Sequence, residues 1–137
     1  MTWKQKVAAL AVGFGLLTSG IVVGAAPAEA AATCPVATLC IWGEYNFQGP
    51  EETSTSTNSC YQVPDTFKTY GVVSYINHLP VDAYVWQYNT STQVWSKART
   101  LVSGAFSSDI GIIFLGQPPY GAICEQNQNP VDYHFQF

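Results

Sequence analysis

The chain has 137 residues, of which 47% are hydrophobic and 10% are charged, and its formal net charge is −4. This length fits one domain, and a composition so poor in charge yet rich in aromatic residues excludes an intrinsically disordered protein. The few basic residues form no cluster. Nucleic acid and anionic lipid are therefore excluded as partners, because both are held largely through Lys and Arg.

The first thirty residues have the pattern of a signal peptide. Two lysines precede an apolar run over residues 7–23, which leads into the small-residue site Ala28-Glu29-Ala30. A permanent membrane span would need ~20 clean apolar residues, and this run is interrupted by glycine and hydroxyl residues. We therefore predict a signal peptide over 1–30 and a single domain over 31–137, which is a secreted monomer free of the membrane after cleavage.

Four cysteines fall in the predicted mature part, and an even number in an exported chain indicates two disulfides. Three pairings are possible. Cys34 and Cys40 are six positions apart, so a local loop is the cheapest closure, and this leaves Cys60 to pair with Cys124. The second link would close a loop of about 65 residues, which the chain-entropy model values at roughly 4 kcal/mol.

Short segments rich in β-branched and aromatic residues predict strands, and no stretch has helical spacing. In chain order the predicted strands cover 39–45, 72–79, 83–88, 93–95, 110–115 and 122–124. A solvated loop is expected over 53–59, and the alternating apolar residues of 131–137 predict an edge strand. This spacing of short strands is typical of an all-β sandwich or partly closed barrel.

The most specific pattern runs from Trp42 to Gly49: an aromatic, four residues, an aromatic, one residue and a glycine. We expect Phe47 to pack back over the ring of Trp42, while Gly49 adopts a backbone angle closed to other residues. Ser74 lies downstream in a predicted strand. We expect its hydroxyl to hydrogen-bond onto this hairpin and hold it down.

This pattern resembles the Greek-key motif of the βγ-crystallins. Together with a preceding Cys-Pro-x4-Cys and a following Ser-Tyr-Ile-Asn, it is similar to secreted bacterial proteins of peptidase inhibitor family I36. The residues that carry the resemblance are Cys34, Pro35, Cys40, Trp42, Asn46, Phe47, Gly49, Cys60, Ser74 and Asn77. The resemblance implies a sandwich of two Greek-key motifs. The second is degenerate here, because Ser91 and Gln93 stand where an aromatic and a glycine would fall.

The resemblance also implies a function: inhibition of an extracellular metallopeptidase by a rigid, substrate-like loop, whose affinity comes from being held beforehand in its bound shape. The family's reactive bond lies beside a disulfide-bonded cysteine in the second half, where this chain has only Cys124. We expect the reactive loop over 96–102, with an ordinary solvated connection as the alternative. The candidate residues are Arg99, Thr100, Leu101 and Val102.

The degenerate second motif favours a rival function, that of a non-inhibitory crystallin-like module that binds a wall component at the cell surface or acts as a toxin. Five aromatic residues could line a sugar-binding face, although a core poor in leucine also needs aromatics. They are Trp42, Tyr45, Trp86, Tyr88 and Trp95.

No enzyme and no cofactor are predicted, because the mature part has no nucleophile elbow, paired-histidine zinc motif or Gly-rich phosphate loop. His78 and His134 stand alone and are expected at the surface or on an edge strand. The calcium-binding positions of microbial βγ-crystallins correspond to 69–74, where the acidic pair is missing. Ser107, Ser108 and Asp109 offer some oxygens in the second motif, but we do not expect calcium.

Overall fold

The computed structural model describes residues 33–67, 71–111, 113 and 121–135, so the predicted signal peptide lies outside the described residues. Within these ranges the chain forms eight strands and no α-helix. The strands are β1 Leu39–Trp42, β2 Glu51–Ser54, β3 Cys60–Gln62, β4 Ser74–Asn77, β5 Ala83–Asn89, β6 Val94–Leu101, β7 Phe106–Ser107 and β8 Gly121–Glu125. Short 3-10 helices cover Tyr45–Phe47, Asp65–Phe67 and Pro130–Tyr133.

Two antiparallel four-stranded sheets make up the fold, as the sequence predicts for an all-β sandwich. The first sheet has the strand order β2-β1-β4-β7, and the second has the order β3-β8-β5-β6. From the first half of the chain, β1, β2 and β4 lie in the first sheet and β3 lies in the second. From the second half, β5, β6 and β8 lie in the second sheet and β7 lies in the first. This exchange means that neither sheet can be completed by one half of the chain alone.

The core between the sheets is more aliphatic than aromatic. Its buried members are Leu39, Ile41, Val63, Phe67, Val72, Tyr75, Leu79, Ala83, Val85, Leu101, Ile113 and Ile123. Alternate residues of β1 and of β5 reach this core, as the two-residue period of a strand requires. Phe67 and Tyr75 are the aromatic members of this cluster, so the core depends less on aromatic side chains than the sequence suggested.

Both predicted disulfides are present. Cys34 and Cys40 close a small loop, with their Cα atoms 5.9 Å apart. Cys60 and Cys124 lie directly opposite each other on β3 and β8, with their Cα atoms 4.1 Å apart. No cysteine in the described part of the chain is free.

Several predicted boundaries in the first half are wrong. The strand predicted over 39–45 ends at Trp42, because the chain turns into a 3-10 helix where Asn46 and Phe47 have φ angles of 55° and 59°. The loop predicted over 53–59 begins with the last two residues of β2. Strands β2, β3 and β7 were not predicted. The residues of β2 are all polar, and β3 and β7 are only three and two residues long.

The C-terminal part also differs from prediction. The expected edge strand over 131–137 is replaced, in its described part, by the 3-10 helix Pro130–Tyr133. The Asn129 side chain caps this helix by accepting a 3.1 Å hydrogen bond from the Val131 N–H, which favours a turn over an extended chain. Ile110, Gly111 and Ile113 lie in no strand, and the rest of the strand predicted over 110–115 lies outside the described residues.

A buried carboxylate joins the two sheets. Glu125, at the end of β8, is fully buried. One of its oxygens accepts a 2.7 Å hydrogen bond from the Ser54 hydroxyl at the end of β2. The other accepts bonds from the backbone N–H and the hydroxyl of Ser59, at 3.2 Å and 2.9 Å. These three donors offset the large cost of burying a charge.

The Glu125 network predicts a selective loss of stability. In Glu125→Gln, one carboxylate oxygen becomes an amide nitrogen that cannot accept the bonds from a serine, so the free energy of unfolding should fall by about 1–3 kcal/mol. Urea unfolding measures this change. Glu51→Gln is the matched control, because Glu51 is exposed on β2, and its midpoint should stay close to wild type. Equal midpoints for the two variants would contradict the bridging role.

Candidate functional site

The segment proposed from sequence as the reactive loop is a strand. Residues 96–101 belong to β6 and pair with β5, and Leu101 lies opposite Ala83. Leu101 is fully buried in the core, so it cannot enter a peptidase cleft while β6 stays in the sheet. The prediction of a loop over 96–102 was therefore wrong up to Leu101.

The other candidates of that segment differ in exposure. Arg99 and Thr100 are exposed on β6, and the Arg99 Nε–H donates a 3.0 Å hydrogen bond to the Ile110 carbonyl. Val102 follows the strand and is 48% exposed. The sequence predicted only the start of this strand, over 93–95, because β6 is a mostly exposed edge strand and the register shift opposite Val85 interrupts its alternation. Contact of these residues with a peptidase stays a prediction, and the burial of Leu101 does not favour it.

The hairpin corner has the contacts expected from sequence. The rings of Trp42 and Phe47 meet edge to face, with centroids 5.3 Å apart. The Phe47 N–H donates to the Ser74 hydroxyl at 3.1 Å, and that hydroxyl donates to the Glu44 carbonyl at 2.7 Å. Gly49 has a φ of 77°, and a Cβ there would lie 2.7 Å from the Glu44 side chain. These residues have a structural role, because they hold the corner against β4.

The most exposed large hydrophobic side chain in the described part of the chain lies in the small ring closed by Cys34 and Cys40. It is Val36, at 88% exposure. A turn covers Val36 and Ala37, and Ala37 has a left-handed φ of 55°. The far side of the ring continues into β1, which is an inner strand of the first sheet. Val36 therefore protrudes from a ring that is attached directly to the sheet.

His78 holds this ring on both sides of Val36. Its backbone N–H donates to the Thr38 carbonyl at 2.9 Å, and its Nδ1 lies 3.1 Å from the Pro35 carbonyl oxygen. A carbonyl only accepts, so this second bond requires the proton on Nδ1. The Thr38 hydroxyl donates to the carbonyl of Val36 itself at 3.3 Å. His78 is exposed as predicted, but the sequence did not indicate that it anchors the ring.

An apolar surface extends from the ring across the outer face of the first sheet. Cys40, Ile76 and Phe106 lie side by side on β1, β4 and β7. Residues paired across neighbouring strands point to the same face of a sheet, and successive residues of a strand point to opposite faces. Leu39, next to Cys40, points into the core, so the row of Cys40 faces outward. Phe106 is 72% exposed, Ile76 and Cys34 are half-buried, and Cys40 is fully buried. We call Val36, the Cys34–Cys40 disulfide, Ile76 and Phe106 the apolar strip.

The segments that carry the apolar strip are uncharged, and carboxylates lie at its borders: Asp82 accepts a 2.8 Å bond from the Ser103 N–H, and Glu51 pairs with Trp42. No Asp, Glu, Lys or Arg occurs in residues 33–41, 74–81 or 102–108. The turn before β7 is also fixed, because Asn77 accepts a bond from the Gly104 N–H at 2.8 Å and donates to Ala105 at 2.9 Å. Only Val36 could have been found from sequence, as a β-branched residue inside a short cysteine loop. The sequence gives no sign that Ile76 and Phe106 are neighbours of the cysteine ring, because only the pairing of β1, β4 and β7 brings them together.

A separate aromatic cleft of about 210 Å³ lies at the far end of the β5–β6 hairpin. Its lining residues are Tyr88, Gln93, Trp95, Pro130, Val131, His134 and Phe135. The rings of Tyr88 and Trp95 are 5.1 Å apart, and those of Trp95 and Phe135 are 6.0 Å apart. We call this cavity the aromatic cleft.

Of the five aromatics predicted for a sugar-binding face, only Tyr88 and Trp95 line the aromatic cleft. Trp42 is buried, and Tyr45 is 43% exposed beside the hairpin corner. The ammonium group of Lys97 lies 5.5 Å from the centre of the Trp86 ring, a cation–π contact. The five aromatic residues predicted for a sugar-binding face therefore do not lie together on one surface.

The oxygens considered for calcium take part in a local turn. The Ser107 hydroxyl donates to the Asp109 carbonyl at 2.8 Å, and an Asp109 carboxylate oxygen accepts a 2.7 Å bond from the Gly111 N–H. In the described ranges, no three His, Cys, Asp or Glu side chains are grouped so that they could hold a metal. Among these residues there is also no helix long and apolar enough to cross a membrane.

These features define the class of protein: a disulfide-linked β-sandwich of two four-stranded sheets that presents anchored, exposed segments. A sequence model of peptidase inhibitor family I36 matches residues 27–97, which is 71 of the 137 residues. The chain therefore belongs to this family. No curated protein and no solved structure matches it.

The hairpin corner generates a stability prediction. Ser74→Ala removes the bond to the Glu44 carbonyl and leaves the Phe47 N–H without its acceptor, so unfolding free energy should fall by about 1–3 kcal/mol. Chemical denaturation followed by tryptophan fluorescence measures the change. Ser107→Ala, on the outer strand β7, removes only bonds within a local turn and should change stability by less than about 0.5 kcal/mol. A Ser74→Ala protein as stable as this control would show that the serine does not hold the corner.

Proposed function

We propose that this protein inhibits an extracellular metallopeptidase by presenting a rigid, substrate-like segment to the active-site cleft. The observation that carries the proposal is membership of peptidase inhibitor family I36, whose match covers the cysteine ring, the hairpin corner and the start of β6. The same membership supports a protein that binds a peptidase rather than one that catalyses a reaction.

The rigidity of the exposed segments supports this mechanism. A substrate-like inhibitor gains affinity when its contact segment is already held in the bound shape, because little conformational entropy is lost on binding. The cysteine ring is closed covalently and bonded to His78, and the turn before β7 is bonded to Asn77. Such anchoring also opposes the local opening that proteolysis requires.

An extracellular location is part of the proposal. Two disulfides persist in oxidising compartments and are rare in reducing ones, and the predicted signal peptide would deliver the chain there. A secreted monomer could then meet a secreted peptidase directly. No cofactor enters this mechanism.

The inhibitor proposal is tested by titration. Protein secreted by cells that express the full chain is added to a thermolysin-type metallopeptidase, with subtilisin and trypsin in parallel. We expect stoichiometric inhibition of the metallopeptidase, with a Kd of about 10 nM or tighter, which corresponds to about −11 kcal/mol. Intact mass after overnight incubation should show an uncleaved inhibitor. Absence of metallopeptidase inhibition would refute the proposal, whatever the two serine-peptidase assays show.

The aromatic cleft favours a second candidate function, that of a cell-wall binding module. Its lining combines aromatic rings with the amide of Gln93 and the imidazole of His134, and it includes no Asp, Glu, Lys or Arg. Apolar walls with a few polar groups suit a small neutral ligand. A neutral sugar ring of a wall glycan, with one apolar face and a hydroxyl rim, has this chemistry.

The second candidate predicts that Trp95→Ala weakens binding to insoluble peptidoglycan by about tenfold, because each well-packed aromatic contributes on the order of 1.4 kcal/mol. A co-sedimentation assay measures this change. Tyr45→Ala is the control, since Tyr45 is an exposed aromatic outside the cleft. If wild type does not sediment with the glycan, or if the two variants bind equally, the aromatic cleft is not a glycan site.

A further inference from the structure

We infer that the apolar strip is the peptidase-binding surface, and that Val36 is the side chain that enters the primary specificity pocket of an aliphatic-selective peptidase. This inference rests on the proposed inhibitory function and specifies its contact residue and the class of its target. It replaces the β6 segment suggested by the sequence.

The first argument is exposure. Val36 is 88% exposed, whereas the other large hydrophobic side chains exposed in the described ranges lie between 43% and 72%. A side chain must protrude this far to fill a pocket on a partner, because the pocket has to surround it. Leu101, the apolar candidate suggested by the sequence, is fully buried and cannot do so.

The second argument is preorganisation. Hydrogen bonds to His78 hold the backbone at Pro35 and at Thr38, so both flanks of Val36 are fixed while its side chain stays free. The disulfide closes the same ring, and the left-handed Ala37 turns the chain immediately after Val36. A fixed backbone around a free apolar side chain is the arrangement that lowers the entropic cost of binding.

The third argument is continuity of the surface. A single side chain does not make an interface, since stable complexes bury about 800 Å² on each partner and surround a central anchor with contacts that exclude water. Phe106 and Ile76 continue the outer face from the ring, and Phe106 is 72% exposed. The apolar strip can therefore provide an anchor at Val36 and a secondary contact at Phe106.

Charge identifies the class of partner. The segments that form the apolar strip contain no Asp, Glu, Lys or Arg. A pocket built to pair with a basic or acidic side chain would be left with an unpaired buried charge, which is unfavourable. The target should therefore have an apolar primary pocket, and trypsin-like enzymes should not be inhibited.

The test compares charged and apolar replacements at Val36 in the full-chain secreted protein. Val36→Asp should raise the inhibition constant for a thermolysin-type metallopeptidase by about 30-fold or more, as expected for a central anchor. Val36→Leu keeps an aliphatic side chain and should stay within about threefold of wild type. Phe106→Ser should weaken inhibition by about fivefold to tenfold, as expected for a contact outside the anchor.

An exposed valine elsewhere on the chain provides a matched control. Val94→Asp introduces the same charge on β6, at a position that is 56% exposed. This variant should inhibit within about threefold of wild type. Urea midpoints and intact oxidised masses should show that every variant is folded and cross-linked.

The outcomes separate the two proposals. If wild type inhibits and Val36→Asp inhibits equally well, the inference is overturned while the inhibitory function stands. An equal loss of inhibition in Val94→Asp would also overturn it, because an added charge at any exposed position would then weaken inhibition. If wild type inhibits no peptidase, the proposed function fails and the inference fails with it.

Discussion

The disulfide between Cys60 and Cys124 is the constraint on which the rest of the fold depends. It joins β3 to β8 across 64 positions, and β8 lies inside the second sheet between β3 and β5. Closing so long a loop costs conformational entropy, and the covalent link removes much of that cost from folding. Once β8 is in place, Ile123 completes the core and Glu125 reaches across to the end of β2.

In a sandwich joined in this way, one face of each sheet packs in the core and the other faces outward. Inner rows such as that of Leu39 pack in the core, while the neighbouring row of Cys40, Ile76 and Phe106 is left on the outer face. The N-terminal ring continues directly into β1, so its position is fixed by the sheet rather than by the ring alone. The proposed contact surface is therefore carried by the same strands that build the core.

Local sequence predicted the features that depend on neighbouring residues. The packing of Phe47 on Trp42 spans five positions, and the closure of the Cys34 ring spans six. The sequence predicted only the start of β6, over 93–95. The rest was missed because β6 is an edge strand with mostly exposed residues, and the register shift opposite Val85 disturbs its period of two. Its polar residues therefore looked like a loop, although Leu101 at its end belongs to the core.

The sequence by itself determined the all-β class, both disulfides, the hairpin corner and the family, because each rests on short-range spacing or on residue type. Only the tertiary structure decided which side chains share a surface. Cys40 and Phe106 are far apart in the sequence, and they lie on one outer face because β4 pairs with both β1 and β7. Pairing between strands distant in sequence selects the face on which each side chain lies, and no local pattern encodes that choice.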